Sequence, residues 1–316
     1  MRGIVIAGIG VASPVLNHPG DVLRPAAPAP GFDPAALLGR GYRYSDRTTQ
    51  LAILATTTAL ADADLLDGGD LAGPGGCFAV VASSNLGNLD TVCRTASVLA
   101  AGTAADTSPM DLPNASSNIV ASSIAVRFGL RGPNVMVCNG ASSGLDAIHL
   151  AAVLIRSGRA CRVAVVAAET ANEVVAQLLG RPVGELFDGA GAVILEPATA
   201  AVSRGVRPHA HLAGYVRHAE LGASVAGALS DHPPPGLWLT PPWRWPTSPP
   251  PAVGDVPRLD IEAALGAASG ALGVLQAVAA GHQLGSGGVD PAVLATAGTA
   301  GDGIASLLLT RCGVAA

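Results

Sequence analysis

The chain has 316 residues, 49% of them hydrophobic and only 13% charged. That is the reverse of a disordered composition, and it supplies a core for two ordinary domains or one large duplicated α/β unit. Every basic residue is an arginine, and the net charge of -5 gives no footprint for nucleic acid or polyphosphate. The apolar run Ile4 to Ile9 is too short and too soon broken by glycine for a signal peptide or membrane span. A cytoplasmic protein without membrane attachment is therefore expected. So little charge also suggests that a partner covers much of the surface.

In chain order, Ile4 to Ile9 reads as a buried strand ending in a glycine turn, and Asp46 to Leu66 as a helix with Leu51, Leu54 and Ala55 on its apolar face and Asp46 as cap. Cys77 to Ala82 is a second strand. Val135-Met136-Val137-Cys138 is a third, turning at Asn139-Gly140-Ala141 into a helix that carries Leu145, Ile148, Ala152 and Ile155 and closes at Gly158. A buried strand, Val163 to Ala167, completes a βαβ unit of the kind found in sheets covered on both faces. After Ala192 to Leu195 the pattern begins again with strand-like Ala210 to Val216. From His232 to Pro257 the chain is rich in proline, with Trp238, Trp243 and Trp245 interleaved, and reads as a loop packed down by its aromatics. A glycine- and alanine-rich helix from about Ile261 to Ala280 and a strand at Ala305 to Leu309 close the chain.

The five cysteines, Cys77, Cys93, Cys138, Cys161 and Cys312, are odd in number and lack CxxC spacing, so free thiols are expected, with neither a zinc site nor a disulfide framework.

The stretch Gly129-Leu130-Arg131-Gly132-Pro133-Asn134, then Val137, then Ser142-Ser143-Gly144-Leu145-Asp146-Ala147-Ile148, resembles the nucleophile region of β-ketoacyl synthases of the thiolase-type fold. Supporting similarity lies at Gly8 to Pro14, Asp46-Arg47 with Gln50, Leu112-Pro113-Asn114, Ile155 to Arg159, and Asp188 to Ala192 with Leu195-Glu196. A thinner likeness continues at Arg204-Gly205, Ala213-Gly214-Tyr215, Gly266 to Ala268, Gly270 to Leu272, and Ala305 to Leu309. The resemblance implies a duplicated βαβαβ fold layered α-β-α-β-α. An N-terminal half over 1–200 would carry the elbow, followed by a shortened C-terminal half over 201–316.

In that family a cysteine at the tip of the elbow is acylated, and two histidines polarise the malonyl thioester. Here the nucleophile position holds Ala141, whose methyl group accepts no acyl chain. The motif of the first histidine is absent, since no histidine lies between His232 and His282. Ala263 stands at the second histidine position, with Glu262 before it, and Arg258 replaces the usual lysine. The resemblance therefore implies a chain-length-factor-like subunit without cofactor or metal. It would pair with an active ketosynthase through the sheet and the helices flanking the elbow, serving an acyl carrier protein in type II polyketide or polyene synthesis. Met110, Leu112, Pro113, Ser117 and Ile119 would then line or plug the acyl tunnel where the subunits meet.

Two other readings stand beside it. In one, a repurposed enzyme acts on an acyl thioester by transfer, cyclisation or hydrolysis, with Cys138, Glu169 or Asp302 as candidate groups. In the other, a carrier-protein binding module uses Arg156, Arg159 and Arg162. Cys138 itself reads first as a buried structural cysteine, three residues before the elbow. His149 reads as a packed or interface residue, and His209, His211 and His218 as a partly exposed strand face. Ser142 and Ser143 read as helix-capping hydroxyls, and Gly8-x-Gly10 lacks the third glycine of a dinucleotide loop.

Overall fold

The computed structural model describes residues 3–241, 250–299 and 301–313. Its first half runs β1 (Ile4–Ala12), α1 (Pro34–Leu38), α2 (Arg47–Asp62), the small hairpin β2 (Leu66–Asp67) and β3 (Asp70–Leu71), β4 (Phe78–Ser83) and α3 (Leu89–Ala101). It continues through α4 (Asp111–Asn114), α5 (Ile119–Phe128), β5 (Asn134–Val137), α6 (Ser143–Arg156), β6 (Arg162–Glu169), α7 (Glu173–Leu179), β7 (Gly189–Pro197) and α8 (Ala198–Ser203). Then come β8 (Ala210–His218), α9 (Leu221–Ala228), β9 (Leu237–Leu239), β10 (Arg258–Leu259), α10 (Glu262–Leu265), α11 (Leu272–Ser286), β11 (Ala292–Thr299) and β12 (Gly303–Thr310).

The strands repeat. Hydrogen bonding joins them in the order β10-β9-β11-β12-β8-β1-β7-β6-β4-β5, so that β8, β12, β11, β9 and β10 retrace β1, β7, β6, β4 and β5. The senses match as well: β4 is parallel to β5 and β6, and β9 is parallel to β10 and β11, while the remaining pairs within each half are antiparallel. Among the described residues, the two five-stranded halves are joined in the sheet by β1 and β8, at Val5 opposite His211 and Ile6 opposite Ala210.

Three apolar clusters fill the spaces between layers. One packs α2 and α5 against the outer face of the first sheet half. A second surrounds α6 and α11 between the two halves, and a third packs α9 against β8, β11 and β12. This is the α-β-α-β-α layering of the thiolase-like fold. The shortening of the second half is visible in its elements: α9 has 8 residues where α2 has 16, and β9 and β10 have 3 and 2.

Glycine sets two of the layer contacts. Gly8 and Gly10 lie on β1, where any side chain would run into the backbone of α2 at Ala59 and Ala55. Their spacing therefore serves helix-on-strand packing. Between the halves, α6 and α11 cross at Gly144 and Gly273, where a Cβ on Gly144 would stand 2.8 Å from Val274 N and 2.9 Å from Gly273 Cα. Backbone meets backbone there, at the first turn of each helix.

Several expectations are corrected. The proline-rich stretch contains a strand: β9 inserts Trp238 into the third cluster at 2% exposure, and its indole N–H donates to Thr296 Oγ1 at 3.1 Å. Trp243 and Trp245 lie outside the described residues. The helix expected from Ile261 to Ala280 is broken after α10, because Gly266 and Ser269 have φ of 87° and 45°, and it resumes as α11. The cysteines are not all free: Cys77 and Cys161 form a disulfide, leaving Cys93, Cys138 and Cys312 as thiols. They precede β4 and β6, which the topology makes neighbours although 84 residues separate them in sequence.

Candidate active site

The elbow is built at the carboxyl end of β5. Gly140 takes φ of 83°, a short 3-10 turn spans Gly140–Ser142, and α6 begins at Ser143. Ala141 sits half-buried at the tip. The turn is fixed by Asn85, which the sequence reading had not assigned, and by Ser143, whose hydroxyl bonds back to the turn and does not cap α6 as expected. Asn85 donates from Nδ2 to Gly140 O and to Ser269 Oγ, each at 2.9 Å. Ser143 Oγ accepts from Asn139 N–H at 2.7 Å and lies 3.1 Å from Asn85 Oδ1.

On the other flank, Asp146 gathers donors. Ser142 Oγ donates to it at 2.9 Å, and Asn139 Nδ2 and the Tyr215 hydroxyl donate to it as well. Arg217 approaches its carboxylate at 3.9 Å. Burial and the Asp146 carboxylate both push the Tyr215 hydroxyl above its ordinary range, so it stays a protonated donor. A carboxylate so fully occupied is no free general base. The only sequence signal was that Asp146 and Tyr215 fell inside matched segments; their meeting depends on β8 lying across from α6.

Glu169 closes the base of the site. The carboxylate at the end of β6 is 3% exposed and accepts from the N–H groups of Asn85 at 2.7 Å, Leu86 at 3.1 Å and Gly270 at 3.1 Å. Burial raises it to about 7 from the ordinary 4.5, against the pull of these donors. The native state therefore binds an extra proton between about pH 4.5 and 7. Stability from this group is fully present below about 4.5 and falls as pH rises to about 7, by roughly 3 kcal/mol in all. Urea midpoints at pH 5 and 7.5 should show that fall in the native chain and lose most of it in Glu169→Gln. An equal fall in both proteins would show that other groups set the pH dependence.

Cys138 is exposed, not buried as its residue type had suggested, because β5 is the edge strand and its last turn faces outward. Its sulfur is still crowded, and that desolvation together with the Glu169 charge raises the thiol above its ordinary range. A thiol held protonated is a poor substitute nucleophile. Asp302 approaches Gly140 and accepts from Thr299 Oγ1 at 2.8 Å.

Ala263 is exposed on α10 and lines a cleft of about 560 Å³ with Ser13, Arg181, Asp188 and Glu262. Ala141 is not part of that lining. Glu262 is turned inward, accepting from Ala268 N–H at 2.7 Å and Ser269 N–H at 3.2 Å. Met110, Leu112, Pro113 and Ser117 are exposed along α4 and the loop after it, and Ile119 is half-buried at the start of α5. On α3, Val92 and Leu99 are also exposed.

His149 stacks on Tyr215 with ring centroids 4.1 Å apart. His209 pairs with Asp62 of α2 at 2.6 Å, and no cluster that could hold a metal exists among the described residues. Arg156 and Arg159 are exposed at the far end of α6, about 20 Å from the elbow at ~1.5 Å per residue. Arg162 is engaged with Glu196 at 2.7 Å. No helix among the described residues is long and apolar enough to cross a membrane.

The family profile of the β-ketoacyl synthase N-terminal domain matches residues 31–180. Over 221 residues the chain is 30% identical to the granaticin polyketide putative β-ketoacyl synthase 1 of Streptomyces violaceoruber, covering 61% of this chain and 51% of that protein. It is 29% identical over 159 residues to the 3-oxoacyl-[acyl-carrier-protein] synthase 2 of Vibrio harveyi, covering 43% and 38%. The chain thus spans about half or less of the curated relatives it matches. Its fold is shared with the ishigamide ketosynthase/chain length factor, at a TM-score of 0.77 and 16% identity over 98% of this chain and 99% of that one. A type II polyketide ketosynthase solved with its acyl carrier protein, AntDE:AntF, also gives a TM-score of 0.77, at 15% identity over 99% and 100%. Residues 31–180 thus match the β-ketoacyl synthase N-terminal domain in sequence, and the chain as a whole shares the thiolase-like fold of ketosynthases.

Proposed function

We propose that the chain is a non-catalytic, chain-length-factor-like subunit that pairs with an active ketosynthase in type II polyketide or polyene biosynthesis and shapes the acyl tunnel. The observation that carries this reading is Ala141 at the tip of an elbow whose hydrogen-bonded frame is otherwise complete. A scaffold kept in order around a residue that cannot be acylated suits a role in binding and shape. Ala263 at the family's histidine position removes the second half of condensation chemistry.

The exposed apolar residues Val92, Leu99, Met110 and Leu112 favour a surface that a partner covers. Closed by a ketosynthase, Met110, Leu112, Pro113, Ser117 and Ile119 would form the wall that limits product length by occupied volume. The acyl chain itself would remain on the partner's nucleophile, delivered by an acyl carrier protein.

Coexpression with a ketosynthase of intact active site, size-exclusion chromatography and an elongation assay on acyl carrier protein test this reading. The expected result is poor expression alone, and a one-to-one complex that elongates only with both chains present. Leu112→Ala should then lengthen the product without changing complex yield, because it enlarges the tunnel. A soluble monomer that ignores ketosynthases would overturn the proposal. Turnover by that monomer, abolished by Cys138→Ser, would establish instead a repurposed enzyme acting on acyl thioesters.

A further inference from the structure

We propose that the Cys77–Cys161 disulfide is a redox-operated clamp on the segment carrying the elbow, and that a dithiol reductant opens it. Cys77 stands immediately before β4 and Cys161 immediately before β6. Their Cα atoms are 5.3 Å apart, and the Cys161 N–H donates to Cys77 O at 2.9 Å, one step before the first paired residues of the two strands, Phe78 and Arg162. The cross-link thus extends the parallel ladder at its open end.

The loop it closes spans 84 residues and contains β4, α3, α4, α5, β5, the elbow and α6. Met110, Leu112, Pro113, Ser117, Ile119, Cys138 and Ala141 all lie inside it. Within the sheet, β5 is the weakly held strand of this segment, because it pairs with β4 on one side, over the four positions Asn134 to Val137, and meets no strand on the other among the described residues. A cross-link across so long a loop restricts the partly opened states of all that it encloses. Removing it frees the candidate tunnel wall while leaving the second half, with β8, β11 and β12, outside the loop.

Exposure makes the bond responsive. Cys77 is exposed and Cys161 half-buried, so an external thiolate reaches the Cys77 sulfur first. Attack there forms a mixed disulfide between Cys77 and the reductant and releases the Cys161 thiolate. The reductant's second thiol then attacks its own sulfur in that mixed disulfide and releases the Cys77 thiolate. The dithiol leaves as its disulfide, having given two electrons and two protons, and Cys77 and Cys161 remain as thiols.

The test reads only this chain's thiols and peptides, in the isolated chain or in its complex with a ketosynthase, and so stands or falls independently of the proposed pairing. Protein purified without reductant, denatured and treated with N-ethylmaleimide should carry three adducts, rising to five after dithiothreitol. Hydrogen exchange on the native protein should then show peptides within residues 84–141 exchanging at least tenfold faster after dithiothreitol, with peptides from β8, β11 and β12 unchanged. Cys77→Ser should exchange at the fast rate with or without dithiothreitol. Five adducts without reductant, equal exchange in the two redox states, or a Cys77→Ser chain that still responds to dithiothreitol would each overturn the clamp. If that variant does not fold, the native comparison decides alone.

Discussion

Replacing Gly273 by alanine, one methyl group in a helix, is expected to cost about 3 kcal/mol of folding stability. The sign is the informative part. Gly→Ala within a helix ordinarily gains about 0.5–1 kcal/mol, because glycine loses more backbone freedom on folding. At Gly273 the new Cβ would overlap Leu145 N and stand 2.8 Å from Gly144 C, and those atoms belong to the backbone of α6. No rotamer relieves that overlap. The two central helices must separate, opening the cluster that Leu145, Ile148, Leu272 and Leu275 share. Gly222 of α9 is the matched control, since nothing lies within 4 Å of its Cβ and Gly222→Ala should be neutral or slightly stabilising. Urea denaturation of both variants checks the pair; a stable Gly273→Ala would mean that the crossing is looser than the structure shows.

The second large effect is expected at Glu196. Its carboxylate on β7 is fully buried and receives Arg162 Nε at 2.7 Å and Arg204 through NH2. Arg204 also donates to Ala63 O at 2.8 Å, so one ion cluster ties β6, β7 and the chain after α8 to the end of α2. Glu196→Ala leaves two guanidinium groups facing a vacancy and should cost about 3–5 kcal/mol. Because the Glu196 carboxylate is fully buried and the two arginines are only a fifth to a quarter exposed, the loss should change only modestly between low and high salt. Replacing Glu196, Arg162 and Arg204 together by apolar residues of similar volume should recover much of it, since the desolvation of all three charges is then removed. If the single variant is mild, or the triple is worse than the single, the cluster is not the fastening that its burial implies.

The reach of the sequence differed from element to element for physical reasons. The runs of valine and isoleucine in β1, β4 and β6 announce strands buried on both faces, and Asp46 before a long apolar-faced segment announces α2. The resemblance extended this to the layered fold and to Ala141 at the elbow. β11 went unread because three alanines and a glycine dilute Val293, Leu294, Thr296 and Thr299 in Ala292 to Thr299, although seven of its eight residues are buried. β9 was hidden by prolines that lie beside the strand and not in it. The Cys77–Cys161 pairing depends on β4 and β6 being neighbours, and spacing alone does not encode that. The same holds for the site: Asn85, Asp146, Glu169 and Tyr215 come from four elements or loops, and their convergence follows from topology. Glu196 fell inside a matched segment, yet nothing in its neighbourhood in sequence revealed the two arginines that meet it.

The ten-strand run also has unlike ends. At one, β5 offers four residues whose outer edge meets no further strand among the described residues; at the other, β10 is two residues long and follows Pro257 directly. A ribbon that can template a neighbour at one end only cannot propagate. Once two such ends meet about a two-fold axis, both templates are consumed and the stubs left outside are too short to recruit a third chain. A pairing of two β5 edges would therefore stop at two chains, with no second end from which to grow.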